Sequence, residues 1–228
     1  KQIRSGIQKE RDKKNYSYEF VMKKMAKFRD DLAEQTITKS TNWQSKEFYQ
    51  EISKFVKEVA ATIKLQKSRK KIEVLSVGAN PDGVFDLEDV RISSIEISAR
   101  VSNLLKSKKR KEKIIYKDFF KHTYSPDCFD IVIINSYWQF LHLESELKFL
   151  SEIKKVTKDT GRIIINLKES LEDSQEWKGL VAKDQEKEYF IKNETYHTFR
   201  SVVEKCGLEI EKEFMSGSYV VYFLKFNI

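Results

Sequence analysis

The sequence of 228 residues predicts an α/β fold, with a seven-stranded, mostly parallel sheet covered by helices on both faces. Short β-branched runs alternate with amphipathic stretches, which is typical of parallel strands joined by helices. Residues 129–134 (F-D-I-V-I-I) form a nearly continuous apolar run, as expected for a strand buried on both faces. The chain ends in two strand patterns joined by Ser216-Gly217-Ser218, which predicts an antiparallel hairpin. This ending disfavours the ordinary dinucleotide-binding fold, which usually finishes on a parallel strand.

Helices are predicted before the first strand. A weak helical pattern covers residues 18–32, and the polar stretch 36–42 separates it from a stronger one. In the stronger pattern, apolar residues recur at spacings of three and four and so share one face. We therefore expect residues 1–66 to form a helical extension or cap, and residues 67–228 to form the α/β domain. The residues of the stronger apolar stripe are Phe48, Ile52, Phe55, Val56, Val59 and Ile63.

The period changes from helical to strand-like at Ile72, and each later element is predicted from its local pattern. Residues 168–193 interrupt the alternation as a polar, charged insertion. Such a segment is typical of a lid over a substrate, and equally of a loop that binds a partner. The predicted strands are 72–77, 92–97, 113–116, 129–134, 162–167, 208–214 and 219–226, and the predicted helices are 99–106, 143–156 and 198–206.

The composition is that of a globular protein, with 40% hydrophobic and 34% charged residues. The longest apolar runs are far too short to cross a bilayer, and no charged-then-apolar leader opens the sequence. Cys128 and Cys206 cannot make a disulfide framework and do not form a metal-ligand cluster. We therefore expect a cytoplasmic protein with neither a membrane segment nor a metal site.

The formal net charge of +8 is concentrated in basic runs at residues 1–14, 67–71 and 106–113. A basic surface attracts phosphate-bearing partners over about a Debye length. The alternative is that the lysines only solvate loops, and it is favoured because no aromatic residues interleave the runs as in single-strand binders. An RNA or protein partner stays open as the second interpretation.

Four motifs follow the carboxyl ends of the first four predicted strands. The first strand runs into V-L-S-V-G-A-N-P-D-G (74–83), a turn that lets the backbone approach a ligand closely. The second strand ends in I-E-I-S (95–98), and Y-K-D-F (116–119) follows the third. The stretch S-P-D-C-F-D-I-V-I-I-N-S-Y-W-Q-F-L-H (125–142) has a Pro/Asp turn, an apolar strand and a small polar pair. In this order the motifs resemble the class I S-adenosylmethionine-dependent methyltransferase family, from residue 72 to the C-terminus.

The resemblance implies S-adenosylmethionine as the cofactor, and it places Gly78, Ala79 and Asn80 in the family's cofactor loop. Only Gly78 matches the family's glycines cleanly, and Asn80 stands where a second glycine is usual. Asn tolerates a positive φ better than other residues with a side chain, so the turn can survive. Ser76 replaces the acidic residue that often stands at its position.

The resemblance also assigns the two acidic residues. Glu96, followed by Ile97, lies eighteen positions after Gly78, where the family has a carboxylate that accepts hydrogen bonds from both ribose hydroxyls. Asp118 would accept a hydrogen bond from the adenine amino group, and Phe119 would offer its amide or ring. The alternatives are a solvated Glu at a strand tip and an ordinary turn Asp.

The end of the fourth strand is expected to face the methyl group or the substrate, because ligands of open α/β sheets bind outside the carboxyl ends of strands. This places Asn135 beside the cofactor. Tyr137 and Trp138 form an aromatic wall for the substrate or, alternatively, pack beneath the N-terminal helices. The segment from Asn135 lacks the two prolines of the tetrapeptide of amino-directed enzymes, which argues against a base-flipping enzyme acting on exocyclic amines.

Methyl transfer requires alignment of a nucleophile with the methyl group, plus a base where the nucleophile carries a proton. His142 and His197 are the candidate bases, although a lone His at a helix edge is more often a surface residue. The expected function is methyl transfer to an oxygen or nitrogen nucleophile of a small-molecule acceptor. The alternative is a catalytically inactive, methyltransferase-like scaffold or RNA-binding subunit. It is suggested by the incomplete glycine motif of the cofactor loop and by the basic runs.

Overall fold

The structure is a computed structural model that describes residues 18–39, 46–67, 71–79, 89–107, 112–135, 137–138, 141, 143–168, 177–181, 188–192, 196–216 and 219–227. The helices are α1 (Tyr18–Lys39), α2 (Lys46–Lys67), α3 (Ala99–Ser107), α4 (Leu143–Val156) and α5 (Tyr196–Lys205). The strands are β1 (Ile72–Val77), β2 (Val90–Glu96), β3 (Lys113–Tyr116), β4 (Phe129–Asn135), β5 (Thr157–Lys168), β6 (Trp177–Val181), β7 (Glu188–Lys192), β8 (Leu208–Ser216) and β9 (Tyr219–Phe226).

Seven of these strands form one sheet in the order β3-β2-β1-β4-β5-β9-β8. The first five pair in parallel, and β9 lies antiparallel between β5 and β8. The predicted fold class and its antiparallel C-terminal hairpin are therefore confirmed. The strand order reverses at β1, which has β2 on one side and β4 on the other. A reversal of this kind opens a crevice outside the carboxyl ends of the strands, where open α/β sheets bind their ligands.

The two faces of the sheet are buried under different helices. On one face, α2 packs Ile52, Phe55 and Val56 against a cluster that includes Phe223 of β9, and the rings of Phe55 and Phe223 lie 4.1 Å apart. On the other face, the cluster includes buried residues of α4 and α5, among them Phe149 of α4. Burying an aliphatic or aromatic side chain of this size stabilises a fold by about 1.5–3 kcal/mol. These two layers make the core.

Helix α1 differs from the others because it crosses the carboxyl edge of the sheet. Its buried residues Met22, Met25, Arg29 and Ala33 are spaced by three, four and four positions, so they share one face. The two methionines belong to the same core cluster as residues that follow β3 and β4, while Ala33 packs beside α3. The edge at which the sequence predicts a ligand is therefore covered by a helix.

The predicted bounds of β1, β3, β9 and α4 agree with the structure, whereas β5 begins earlier than predicted. Thr157 already pairs with Phe129, and the register between β4 and β5 shifts before Ile131 pairs with Arg162. The insertion at residues 168–193 contains β6 and β7, an antiparallel pair that the sequence analysis did not predict. Strand β7 lies beside α1. No helix in the described part of the chain is long and apolar enough to span a membrane.

Candidate functional site

The turn after β1 requires glycine at position 78. Gly78 has a φ of 75°, which favours glycine, and its N–H donates to the carbonyl of Ile95 at 3.0 Å. A Cβ at this position would collide with the carbonyl oxygen of Asn135, at the end of β4. It would also lie 3.3 Å from Nη1 of Arg29. The backbones after β1 and β4 therefore approach each other at this turn, and an arginine side chain lies against it.

Glu96, the last residue of β2, is buried in an ion pair with Arg29 of α1. Arg29 donates from Nε to Oε1 at 2.8 Å and to Oε2 at 3.1 Å, and from Nη2 to Oε2 at 2.7 Å. The backbone N–H of Ser98 donates to Oε1 at 2.7 Å, and Arg29 Nη2 also donates to the carbonyl of Ala79. The side chains of Arg29 and Glu96 are 1% and 0% exposed. The alternative of a solvated Glu at a strand tip does not hold in this structure.

Asp118 shapes the turn after β3. Its side chain caps the short 3-10 helix Phe119–Lys121, with Oδ1 accepting from the N–H of Phe120 at 3.1 Å. The hydroxyl of Tyr137 lies 3.5 Å from the same oxygen. The ring of Phe119 is buried and lies edge-on to Phe149, with ring centres 5.0 Å apart. Asp118 thus has a local structural role at the predicted adenine position, and the ring of Phe119 belongs to the core.

Asn135 and Ser76 join the ends of β4 and β1. The Asn135 side-chain amide donates to Ser76 Oγ at 3.1 Å, and both residues are buried. This hydrogen bond joins two uncharged side chains across the neighbouring strand ends. A neutral pair therefore lies at the switch point of the sheet, beside the Gly78 turn.

The two aromatic residues after β4 lie in different surroundings. Tyr137 stacks on Phe149 at 5.0 Å, and its hydroxyl lies 3.5 Å from the sulfur of Met22 in α1. Trp138 is 0% exposed and lies edge-on to Phe199 of α5 at 5.3 Å. Tyr137 thus borders the carboxyl edge, while Trp138 lies in the core. Contact of Trp138 with a substrate stays a prediction that this packing does not favour.

The remaining predicted residues are placed only in part. Asn80 and His142 lie outside the described residues, and His197 lies in α5 with its side chain outside them. Ala79 is fully buried, and Ile97 is half-buried against the core. The described residues that the structure does bring together around the end of β1 are Gly78, Ala79, Glu96, Ile97, Asp118, Phe119, Asn135 and Tyr137.

Burial accounts for the pKa shifts near the turn after β3. It lowers the pKa of His122, with the positive charges of Lys117 and Lys113 as the smaller causes. It raises the pKa of Tyr124, whose ring packs against Phe119 and His122. Both shifts favour the neutral form of the side chain. The surroundings of this turn are therefore apolar on the inside and basic on the outside.

Arg29 was not among the candidate residues predicted from the sequence. The available signal was a charged residue within the weak apolar stripe of α1, at a position that the helical spacing places on the buried face. Asp30, the next residue, accepts hydrogen bonds from Ser98 Oγ and from the N–H of Arg100 at 3.2 Å. Arg100 also pairs with Glu34 at 2.6 Å. Two consecutive turns of α1 are thus tied to the end of β2 and the start of α3.

Comparison with known proteins finds a family that matches the central part of the chain. The family described as "Methyltransferase domain" matches residues 76–165, a segment that runs from β1 to β5 and includes every predicted cofactor residue. This match agrees with the class I methyltransferase family that the motifs predict. Members of this class use S-adenosylmethionine as the methyl donor, so the family and the cofactor expected from the motifs are confirmed.

Solved structures similar to this methyltransferase domain share its fold at low sequence identity. A 1,6-didemethyltoxoflavin-N1-methyltransferase from Burkholderia thailandensis, with bound 1,6-didemethyltoxoflavin and S-adenosylhomocysteine, aligns at a TM-score of 0.60 and 13% identity over 88% of each chain. A methyltransferase from Methanosarcina mazei aligns at 0.55 and 14%, covering 69% of this chain and 94% of that one. The mitomycin 7-O-methyltransferase aligns at 0.54 and 14%, covering 68% of this chain and 49% of that one. No curated protein matches the sequence.

The types of residue at this edge of the sheet are suited to binding S-adenosylmethionine. A buried carboxylate stands at the tip of β2 and has the two oxygens to which a ribose diol would donate once Arg29 had moved away. The turn at Gly78 has room for no Cβ. Asp118 and the apolar surroundings of Tyr137 lie after β3 and β4, where an adenine ring would lie. Arg29 is the exception, because its guanidinium already contacts Glu96, Ala79 and the Gly78 turn.

Proposed function

We propose that this chain is an active S-adenosylmethionine-dependent methyltransferase that methylates an oxygen or nitrogen nucleophile of a small molecule. The observation that carries the proposal is the convergence of Gly78, Glu96, Asp118 and Asn135. They follow the carboxyl ends of β1, β2, β3 and β4, beside the point at which the strand order reverses. This is the place where open α/β sheets bind ligands.

Each of these residues has a role that its chemistry supports. Glu96 accepts hydrogen bonds from the ribose hydroxyls, and Asp118 accepts one from the adenine amino group. Gly78 lets the backbone approach the cofactor without a side chain in between. Asn135, held by Ser76, borders the position of the reacting methyl group. When bound, S-adenosylmethionine supplies a methyl group already activated on its sulfonium.

The protein's part in the reaction is alignment and the exclusion of water. Tyr137, Phe119 and Met22 form an apolar lining next to Asp118, which strengthens electrostatic contacts at the site by excluding solvent. Holding an acceptor atom in line with the methyl group removes much of the entropic barrier of the reaction. His142 and His197 remain the proposed bases for an acceptor that must lose a proton.

A small-molecule acceptor is supported by two of the structures that share the fold. Their names describe methylation of 1,6-didemethyltoxoflavin at nitrogen and of mitomycin at oxygen. One fold thus accommodates both kinds of nucleophile. The proposal of a small-molecule acceptor for this chain is supported by its similarity in fold to these two enzymes. The division into a cap at residues 1–66 and a methyltransferase domain at residues 67–228 is also a proposal, supported by the family match, which begins at residue 76.

The test is isothermal titration of the purified chain with S-adenosylmethionine. The proposal expects binding by the wild type and by Arg29→Met, which leaves the Glu96 carboxylate without its guanidinium partner. Adding Glu96→Gln to Arg29→Met is expected to weaken binding about tenfold or more, because hydrogen bonds to a charged group contribute about 1.5–3 kcal/mol. Glu73→Gln is the matched control, since Glu73 forms an exposed pair with Arg91 near the amino ends of β1 and β2. Absence of binding both by the wild type and by folded Arg29→Met would contradict the proposal, as would undiminished affinity when Glu96→Gln is added to Arg29→Met.

A non-catalytic scaffold or RNA-binding subunit is the second candidate, and two observations favour it. The Glu96 carboxylate is already engaged by Arg29, and Tyr116 is 57% exposed on the edge strand β3 between exposed Lys113 and Lys117. An exposed aromatic ring among lysines is suited to stacking on a base beside neutralised phosphates. RNA affinity that falls steeply with added salt, with no cofactor binding by any variant, would favour this candidate over the enzyme.

A further inference from the structure

The Glu96 carboxylate has no acceptor capacity left for a sugar while α1 is in place. A carboxylate offers about four lone-pair directions. Glu96 already accepts four hydrogen bonds, three from Arg29 and one from the backbone N–H of Ser98. Both side chains of the pair are essentially unexposed. A ribose diol therefore cannot reach this carboxylate unless the guanidinium leaves.

The same helix occupies the neighbouring parts of the edge. Met22 lies beside the hydroxyl of Tyr137, at the predicted adenine side. Arg29 donates to the carbonyl of Ala79 and lies against the Gly78 turn. Ala33 packs with Ala79 beside α3. One face of α1 thus covers the space from β4 across β1 to β2, which the proposed cofactor site needs.

We infer that α1 is an autoinhibitory lid in which Arg29 takes the place of the cofactor's ribose at Glu96. The inference rests on the proposed cofactor site and adds a regulation of that site. Cofactor and closed α1 exclude each other, so S-adenosylmethionine binds only to molecules in which α1 has moved away from the edge. The apparent affinity is then the intrinsic affinity multiplied by the fraction of open molecules.

The contacts of α1 are suited to reversible opening. The Arg29–Glu96 pair is buried, and the desolvation of two charges offsets much of their attraction. When α1 opens, both groups regain water or, in the case of Glu96, the ribose. Asp30 ties α1 to Ser98 and Arg100, and the exposed Arg100–Glu34 pair adds little because solvent screens it. The closed state is therefore held by these polar contacts together with the burial of Met22, Met25 and Ala33, and a bound cofactor can replace the polar part.

The first measurement is the affinity for S-adenosylmethionine of Arg29→Met, which removes the guanidinium and keeps an unbranched apolar side chain. Without Arg29 the closed state leaves Glu96 buried without its cation, so the open fraction rises and the affinity is expected to increase about tenfold or more. Arg91→Met is the matched control, because Arg91 forms an exposed pair with Glu73 far from the carboxyl edge and its loss should leave the affinity unchanged.

A second variant covers the case in which Arg29→Met fails to fold. Asp30→Ala keeps Arg29 and Glu96 but removes the hydrogen bonds to Ser98 and Arg100, and α3 remains capped because Ser98 Oγ still accepts from the N–H of Val101. It should also bind the cofactor more tightly than the wild type. In the wild type, saturating S-adenosylhomocysteine should accelerate amide hydrogen exchange in α1 and leave α2 unchanged.

The outcomes separate the lid from the function on which it depends. Equal or weaker binding by Arg29→Met and Asp30→Ala, with the wild type binding, overturns the lid and leaves the cofactor site intact. Slower exchange in α1 on cofactor binding overturns it as well. Absence of binding by the wild type and by both folded variants overturns the cofactor site itself. Tighter binding by Arg29→Met and Asp30→Ala supports both the lid and the cofactor site if the gain in affinity is lost when Glu96→Gln is added to Arg29→Met.

Discussion

Helices α1 and α2 have the same length, 22 residues each, and lie next to each other in the sequence, yet they meet the sheet in different ways. Helix α2 covers a face of the sheet with a wholly apolar stripe, in which Ile52, Phe55 and Val56 are buried. Helix α1 covers the carboxyl edge of the sheet, and its stripe contains Arg29, which is as buried as its apolar neighbours. A helix on a face meets only side chains, whereas a helix across an edge meets strand ends that carry polar groups.

Because of this difference, changes in α2 should mainly affect the stability of the fold, whereas changes in α1 should mainly affect cofactor binding. The buried contacts of α2 are apolar and have no partner in the proposed chemistry, so their loss should change the free energy of unfolding and little else. The contacts of Arg29 in α1 are made to residues proposed to bind the cofactor. Their loss should change the cofactor affinity more than the stability, because opening of α1 returns its charges to water.

Phe55→Ala in α2 should have the largest effect on stability. Phe55 is buried and its ring lies 4.1 Å from that of Phe223, so truncation leaves a cavity between helix and sheet. The expected loss in the free energy of unfolding is about 3–5 kcal/mol, measured by urea titration. Cofactor affinity below the unfolding transition should equal that of the wild type, and a large change in that affinity would show that α2 also takes part in the site.

Gly78→Ala should affect both stability and binding. The new Cβ would collide with the carbonyl oxygen of Asn135, and alanine is strained at a φ of 75°. The left-handed conformation alone costs about 1–2 kcal/mol, and the collision adds to it by pushing β1 and β4 apart. Urea titration should show the loss, and calorimetry should show weakened cofactor binding. Normal stability with normal binding would mean that the turn relaxes freely, contrary to the close packing described above.

Much of the fold could be predicted because its signals are local. The bounds of β1, β3, β9 and α4 follow from periodicity and turn residues within each segment. Local pattern did not reveal the β6–β7 pair, whose residues read as a polar, charged insertion.

The candidate site likewise has a part that local sequence pattern predicts and a part that it does not. The positions of Gly78 and Glu96 at the carboxyl edge could be predicted because each residue ends or follows its own strand, and their contacts with the cofactor stay predictions. The ion pair between Glu96 and Arg29 joins residues 67 positions apart. It depends on where α1 lies on the sheet, and no local pattern specifies that position. A buried arginine in a helical stripe is a sign that its partner is a carboxylate, but the sequence does not say which one.

The smallest effect is expected from Arg100→Ala, which breaks the pair between α1 and α3 on the protein surface. Arg100 and Glu34 are each 55% exposed, and exposed pairs contribute only about 0.2–1 kcal/mol. Since this pair holds the lid and not the core, its loss should appear as a modest rise in cofactor affinity, by no more than about fivefold, with an unfolding midpoint close to that of the wild type. Arg200→Ala, which breaks an exposed pair within α5, is the matched control and should change neither quantity. A rise in affinity that vanishes when Arg29→Met is also present would show that both residues act through the position of α1, because two changes that open the same helix cannot add once it is open.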